Sequence, residues 1–226
     1  MKWISGLMLL VVIPFAGSVN AQITDDGAKC EMLHLSDGRF PYDYNDPAPA
    51  VRHHLQLVEN AHFTTSVRQG IRGNTSYAIT GDLVYVLNHF PNHPQALALM
   101  ANHQLTPDFS PRVPGRYDYL IPTTACYFKR ALQIAPNDPA VYLVMAIHQH
   151  KQKQHSDAES SYKKALQLSP DYTEAHYNLG LLYTTTGQYE LALKHAHIAY
   201  RNQYPLPGLR AQLTAKGQWR EPAITD

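Results

Sequence analysis

"AHYNLGLLYTTTGQYELALKHA", residues 175–196, sets large residues beside small ones at helical spacing. Tyr177, Leu179, Leu182 and Tyr183 are large, whereas Gly180, Ala192 and Ala196 are small. How closely two helices approach depends on the side chains at their contact, and only Gly, Ala or Ser lets the axes come near. Gly187 falls between the two apolar runs, where a helix end in the left-handed conformation favours glycine. The stretch therefore reads as two antiparallel helices, with Gly180 facing Ala192 across the pair.

The pattern recurs. Displaced by 34 residues, Pro136 falls on Pro170, Ala146 on Gly180, Ala158 on Ala192 and Ala165 on Ala199. Phe128 falls on Tyr162 and Leu132 on Leu166. A fixed period of this length signals stacked helical hairpins. In the earlier copy Lys153 takes the turn slot of Gly187, a less comfortable choice for a left-handed residue. Pro136 and Pro170 end their second helices, since proline cannot continue one.

Residues 174–183, followed by Gly187, Gln188, Tyr189, Ala192 and Ala199, resemble the tetratricopeptide repeat. His176, and Tyr142 one unit earlier, stand where that family usually has tryptophan. The resemblance covers residues 139–204. It implies an all-α solenoid of antiparallel hairpins and a protein-binding role, but no reaction. It also implies a concave groove lined by first helices, holding a peptide or helix of a partner. By position in the unit, the implied partner-binding residues are Leu143, Ile147, His150 and Lys151, then Glu174, Tyr177, Asn178, Leu181 and Thr184.

Outside the two clear repeats, 139–172 and 173–205, the chain is less regular. Residues 48–104 read as a helical region. A helix over 48–62 carries Val51, Leu55, Val58 and His62 on one face, and further helices are expected over 81–90 and 93–103. Residues 105–116 read as an inserted loop, because Pro107, Pro111, Pro114 and Gly115 rule out a continuous helix. Residues 117–138 are expected to supply the second helix of an elongated unit. Phe109 and Arg112 in the loop join aromatic and cationic character, as interface anchors do, and make the loop a second candidate contact. Residues 206–217 read as a capping helix whose Leu206, Leu209 and Leu213 cover the last apolar face. The tail, 218–226, is expected to be loose, and 22–47 to be extended or loosely ordered.

Residues 1–21 look like a cleaved signal peptide, with Lys2 ahead of a short apolar core and cleavage before Gln22. The expected destination is the periplasm, with extracellular release as the alternative. Cleavage removes one cation, so the charge passes from +1 (19 basic against 18 acidic residues) to zero. There is no block of basic residues of the kind that marks nucleic-acid binding. No later run is long and apolar enough to span a membrane. In an oxidising compartment, Cys30 and Cys126, the 2 cysteines, are expected to form a disulfide.

Nothing in the motifs points to catalysis or a cofactor. Glu59 and His62 have the Glu-x-x-His spacing of di-iron bundles but lack its second copy. His148 and His150 lie about 200 degrees apart on a helix, as do His195 and His197. A non-enzymatic envelope adaptor is therefore expected. A histidine-dependent metal-binding protein or metalloenzyme is the alternative, and a self-associating structural subunit the third reading.

Overall fold

The computed structural model describes Cys30 and residues 41–75, 78–113 and 119–221. The expected signal segment, 1–21, and the end of the tail, 222–226, lie outside them. Ten helices and one two-residue hairpin make up the described chain. The order is α1 (Pro49–His62), α2 (Thr65–Arg68), α3 (Ile79–His89), α4 (Pro94–His103), β1 (Arg112–Val113), β2 (Tyr119–Leu120), α5 (Thr124–Ile134), α6 (Pro139–Lys151), α7 (His155–Leu168), α8 (Thr173–Thr185), α9 (Tyr189–Arg201) and α10 (Gly208–Ala215).

Local chemistry sets the helix ends. Proline opens α1, α4 and α6, where its missing N–H costs no hydrogen bond. Asp138 caps α6 by accepting from the Ala140 N–H at 2.9 Å. Left-handed residues close several helices: Gly187 has φ 76° and Lys153 has φ 62°. Both turns make the same bonds. The N–H groups of Lys153 and Gln154 donate to His150 and Gln149. Those of Gly187 and Gln188 donate to Thr184 and Tyr183. Lys153 thus adopts the conformation its slot demands without being glycine.

The helices stack in two layers. Successive first helices touch directly, α4 on α6, α6 on α8 and α8 on α10, while α5, α7 and α9 pack mainly on first helices and far less on one another. The first helices therefore lie on the inner side of the stack. Two cores result. One joins α1, α3, α4 and α5 to the Val141 and Val144 side of α6. The other runs from Leu143 and Ala146 on α6 through α7, α8 and α9 to Leu209 and Leu213 on α10.

The 34-residue period extends to single hydrogen bonds. Tyr142 Oη donates to the Pro136 carbonyl at 3.1 Å, and His176 Nε2 donates to the Pro170 carbonyl at 2.8 Å. At equivalent positions of the two units, each side chain ties its helix to the proline that closed the previous unit. Gly180 serves two contacts. A Cβ there would lie 3.4 Å from the Ala192 carbonyl oxygen and only 2.5 Å from Leu209 Cδ2. Its smallness makes room for the capping helix even more than for α9.

The structure differs from the sequence reading in three places. The helix expected from residue 117 starts at Thr124. Pro122 lacks an N–H, and the Thr123 hydroxyl caps the later start by accepting from the Cys126 N–H at 3.3 Å. Arg112 and Val113 instead pair antiparallel with Leu120 and Tyr119, so the insertion carries a small hairpin. Leu209 and Leu213 are fully buried, but Leu206 is 52% exposed and precedes the shorter capping helix. Residues 218–221 pack against the array's end rather than hanging loose: Arg220 pairs with Glu190, and its carbonyl accepts from His197 Nε2 at 2.8 Å.

Residues 41–47 run without helix past the end of α3, with Tyr42 N–H donating to the His89 carbonyl at 2.9 Å. A disulfide joins Cys30 to Cys126 on α5, with 5.4 Å between Cα atoms. Fully buried Asn92 binds the segment to the repeats. Its Nδ2 donates to Asp43 at 2.7 Å and Asp138 at 3.1 Å, while its Oδ1 accepts from the Tyr44 N–H at 2.8 Å.

Candidate functional site

Of the residues expected to line a groove, some lie at the surface and others are buried. Repeat position decides which. Leu143 and Tyr177 are equivalent, and both are buried, at 2% and 6% exposure. Leu143 packs in the α6–α10 core. The Tyr177 ring lies 4.4 Å from that of Tyr204, below the chain entering α10. His150 and Thr184 also correspond; His150 meets rings of its own hairpin, and Thr184 bonds back along its own helix. His150 meets Tyr162 and His155 edge-on at 6.4 and 6.0 Å, and Thr184 Oγ1 donates to the Gly180 carbonyl at 2.9 Å. Leu143, Tyr177 and Thr184 are therefore buried, whereas His150 is half-buried. A helix inside a stack is buried on several sides, and the sequence period alone does not say which neighbour covers which side.

The other expected positions stay on the surface. Ile147, Asn178 and Leu181 are half-buried; Lys151 and Glu174 are exposed. Lys151 Nζ donates to Asn102 Oδ1 at 2.6 Å, spanning α6 and α4. Asn178 Nδ2 donates to the carbonyl of Glu174 at 2.9 Å. Ile147 also lines a small crevice of about 30 Å³ with Ala98, Ala101 and Val144 between α4 and α6. Ile147 and Leu181 are thus the apolar members of the surface-accessible set, and Lys151, Glu174 and Asn178 the polar ones. In the insertion, Phe109 is half-buried and packs edge-on to His103 at 5.5 Å, which accounts for it as a loop anchor. Arg112 belongs to β1, and its backbone faces Leu120.

The histidines are distributed among structural partners. Glu59 and His62 separate: Glu59 meets His93 Nε2 at 3.1 Å, whereas His62 Nδ1 meets Asp82 at 2.8 Å. Thr75 joins that second group, a constellation the sequence reading missed because its members are far apart in unrelated stretches. Thr75 Oγ1 and Asp82 both approach Nδ1 of His62, at 2.8 Å each. A nucleophile–base–acid relay uses the two ring nitrogens separately, so this cluster fastens α1 to α3 without setting up a relay. Burial alone would raise the Asp82 pKa, but hydrogen bonds from Thr75, the Asn74 N–H and His62 hold it below the usual carboxylate range. Among the described residues, no three His, Cys, Asp or Glu side chains converge as a metal would require. The histidine-based metal alternative finds no support there.

His176 and His195 make a closer pair, Nδ1 to Nδ1 at 2.8 Å across α8 and α9. Because His176 Nε2 donates to Pro170, its Nδ1 is the acceptor when the ring is neutral, and His195 Nδ1–H is the donor. Burial, then the neighbouring His176 and Lys194, push the His195 pKa down to about 4.

A family comparison agrees with the repeat geometry. A family profile described as "TPR repeat" matches residues 149–187, from the end of α6 through α7 and α8 to the turn at Gly187. The peroxisomal targeting signal receptor of Candida albicans is 35% identical over 68 residues, 30% of this chain. The match spans only 12% of that receptor's length. Two crystal structures of MamA superimpose with TM-scores of 0.48 and 0.42, each at 14% identity. They cover 74% and 77% of this chain, and 85% and 84% of their own.

Proposed function

We propose that this protein is a non-enzymatic scaffold of the cell envelope that holds an extended or helical segment of a partner protein against its inner layer. The observation that carries the reading is the surface shared by α6 and α8. There Ile147 and Leu181 offer apolar contact, while Lys151, Glu174 and Asn178 offer polar contact, all on stacked helices that a partner can span. Helical grooves recognise partner segments through such spaced anchors. The tetratricopeptide match over α7 and α8 supports the same class of role.

The envelope setting rests on the signal-like N-terminus and on the disulfide, which suits an oxidising compartment. Assembly of a secretion, pilus, outer-membrane or polysaccharide system is the setting we favour. No helix among the described residues is long and apolar enough to cross a membrane, and no basic block suggests nucleic acid, so the expected ligand is protein. In-cell crosslinking from a photoreactive residue at Leu181, with a control at exposed Gln167 on α7, tests the surface. A discrete partner band from Leu181 alone is expected. Equal labelling from Gln167, or none from Leu181 and Ile147, overturns the reading.

A further inference from the structure

At the C-terminal end of the array, α9, α10 and the chain beyond them enclose an open cleft of about 330 Å³. Its walls are His197, Tyr200, Arg201, Arg210, Trp219 and Glu221. The Trp219 ring stands edge-on to His197 at 5.4 Å and to Tyr200 at 5.9 Å. The Arg210 guanidinium lies 4.8 Å from its centroid. Tyr200 Oη accepts from the Arg210 N–H at 2.9 Å and donates to the Leu206 carbonyl at 3.1 Å, which holds the wall in place.

One carboxylate oxygen, Oε1 of Glu221, accepts both from Arg210 Nη2 at 2.5 Å and from Trp219 Nε1 at 3.0 Å. Two donors aimed at one point, one of them a guanidinium, form a carboxylate-binding arrangement. Glu221 occupies it from an exposed position, where an ion pair contributes little. Glu221 is not the only tie of this segment, because the Arg220 carbonyl accepts from His197 Nε2 at 2.8 Å and the Trp219 ring packs on Tyr200. A second guanidinium, Arg201, lines the same cleft and makes no ion pair among the described residues. Two arginines and one carboxylate thus line the cleft.

We propose that this cleft docks a glutamate side chain from an acidic segment of a partner protein, and that Glu221 is a built-in occupant which the partner displaces. The incoming carboxylate takes the Arg210 and Trp219 donors, and a neighbouring acidic residue reaches Arg201. The cleft is separate from the α6–α8 surface, so the proposal does not rest on the scaffold reading.

Trp3 and Trp219 are the only 2 tryptophans, so in the full chain with Trp3→Phe the emission reports on the cleft. The probe is an acetylated, amidated peptide of alternating glycine and glutamate, with a glutamine version as control. A saturable emission change with the glutamate peptide alone is expected. Glu221→Gln should tighten it about two- to fivefold, the weight of an exposed ion pair. Arg210→Met should weaken it at least about tenfold, the loss of a charged hydrogen bond. Arg201→Ala should weaken it with an unchanged thermal melt. Three results would overturn the proposal: no saturable response in Glu221→Gln when its melt matches the parent's; an equal response to the glutamine peptide; or binding only by a peptide with a free C-terminal carboxylate.

Discussion

The two halves of this molecule hold together by different means. From α1 to α5 the elements are irregular, and specific links supplement their apolar core: the disulfide, buried Asn92 between Asp43 and Asp138, and His62 with Asp82. From α7 to α10 the links are mostly shape, small residues opposite large ones at a fixed period, as with Gly180 under Leu209. Helix α6 belongs to both, with Val141 and Val144 in one core and Leu143 and Ala146 in the other. A repeat can be stabilised by repeating one apolar contact. An irregular segment has no neighbour of its own kind, and it is fastened point by point.

The largest expected effect tests the fastened half. Cys126→Ser removes a bond with a sequence separation of 96, and a loop of that size predicts a loss of about 4–5 kcal/mol. Urea unfolding of variant and parent measures it. If the two halves are separately held, a probe in the first half should move more than Trp219 emission at the array's end.

Leu209→Ala tests the other half. Leu209 is fully buried, so the truncation should cost about 3 kcal/mol. Gly180→Ala sets a methyl group against the same side chain, and overpacking costs about 1–3 kcal/mol before the gain in helix propensity. In the double variant the costs should be clearly less than additive. Strict additivity would show that shape matching at this point does not hold α10.

Acid should next weaken the repeat half through His195. Its folded pKa, about 4, lies below the ordinary value of 6.5, so the unfolded chain takes up the proton first. Its contribution to stability is complete above pH 6.5 and is lost as the pH falls toward 4. The size is of order 1–3 kcal/mol. Chemical denaturation across that window should show the fall, and His195→Asn should flatten it. Buried His93 and His148 are pushed down in the same direction, so part of the slope should survive in the variant.

The smallest effect separates two copies of one turn. Lys153→Gly should stabilise by about 1 kcal/mol, because it relieves a left-handed residue that carries a Cβ. Gly187→Ala should destabilise by a similar amount, and nothing lies within 4 Å of the added methyl to account for it otherwise. Opposite shifts in melting temperature would confirm that the two slots demand one backbone.

Much of the repeat half was legible because its signals are local. Glycine and proline positions marked turns and helix ends, and the left-handed slot at Lys153 followed from the period. Helix α1 was legible from Val51, Leu55 and Val58. The stretch before Thr124 was misread because its apolar residues suit a helix, whereas Pro122 and the pairing with β1 settle it otherwise. The inner surface was legible only in part. Lys151 and Glu174 are exposed and Ile147, His150, Asn178 and Leu181 half-buried, but Leu143, Tyr177 and Thr184 are buried, and their own helices carry no mark of the difference.

By itself the sequence determined the hairpin, its 34-residue period, its turns and the places where helices must come close. These follow from rules acting within a few residues: backbone sterics at glycine and proline, and side-chain size at helical spacing. Only the tertiary structure decided which side of each first helix stays open. It also placed Asn92 between two carboxylates and Glu221 on Arg210 and Trp219. Such facts depend on groups far apart in the chain meeting within about 3 Å, and no local rule specifies that meeting.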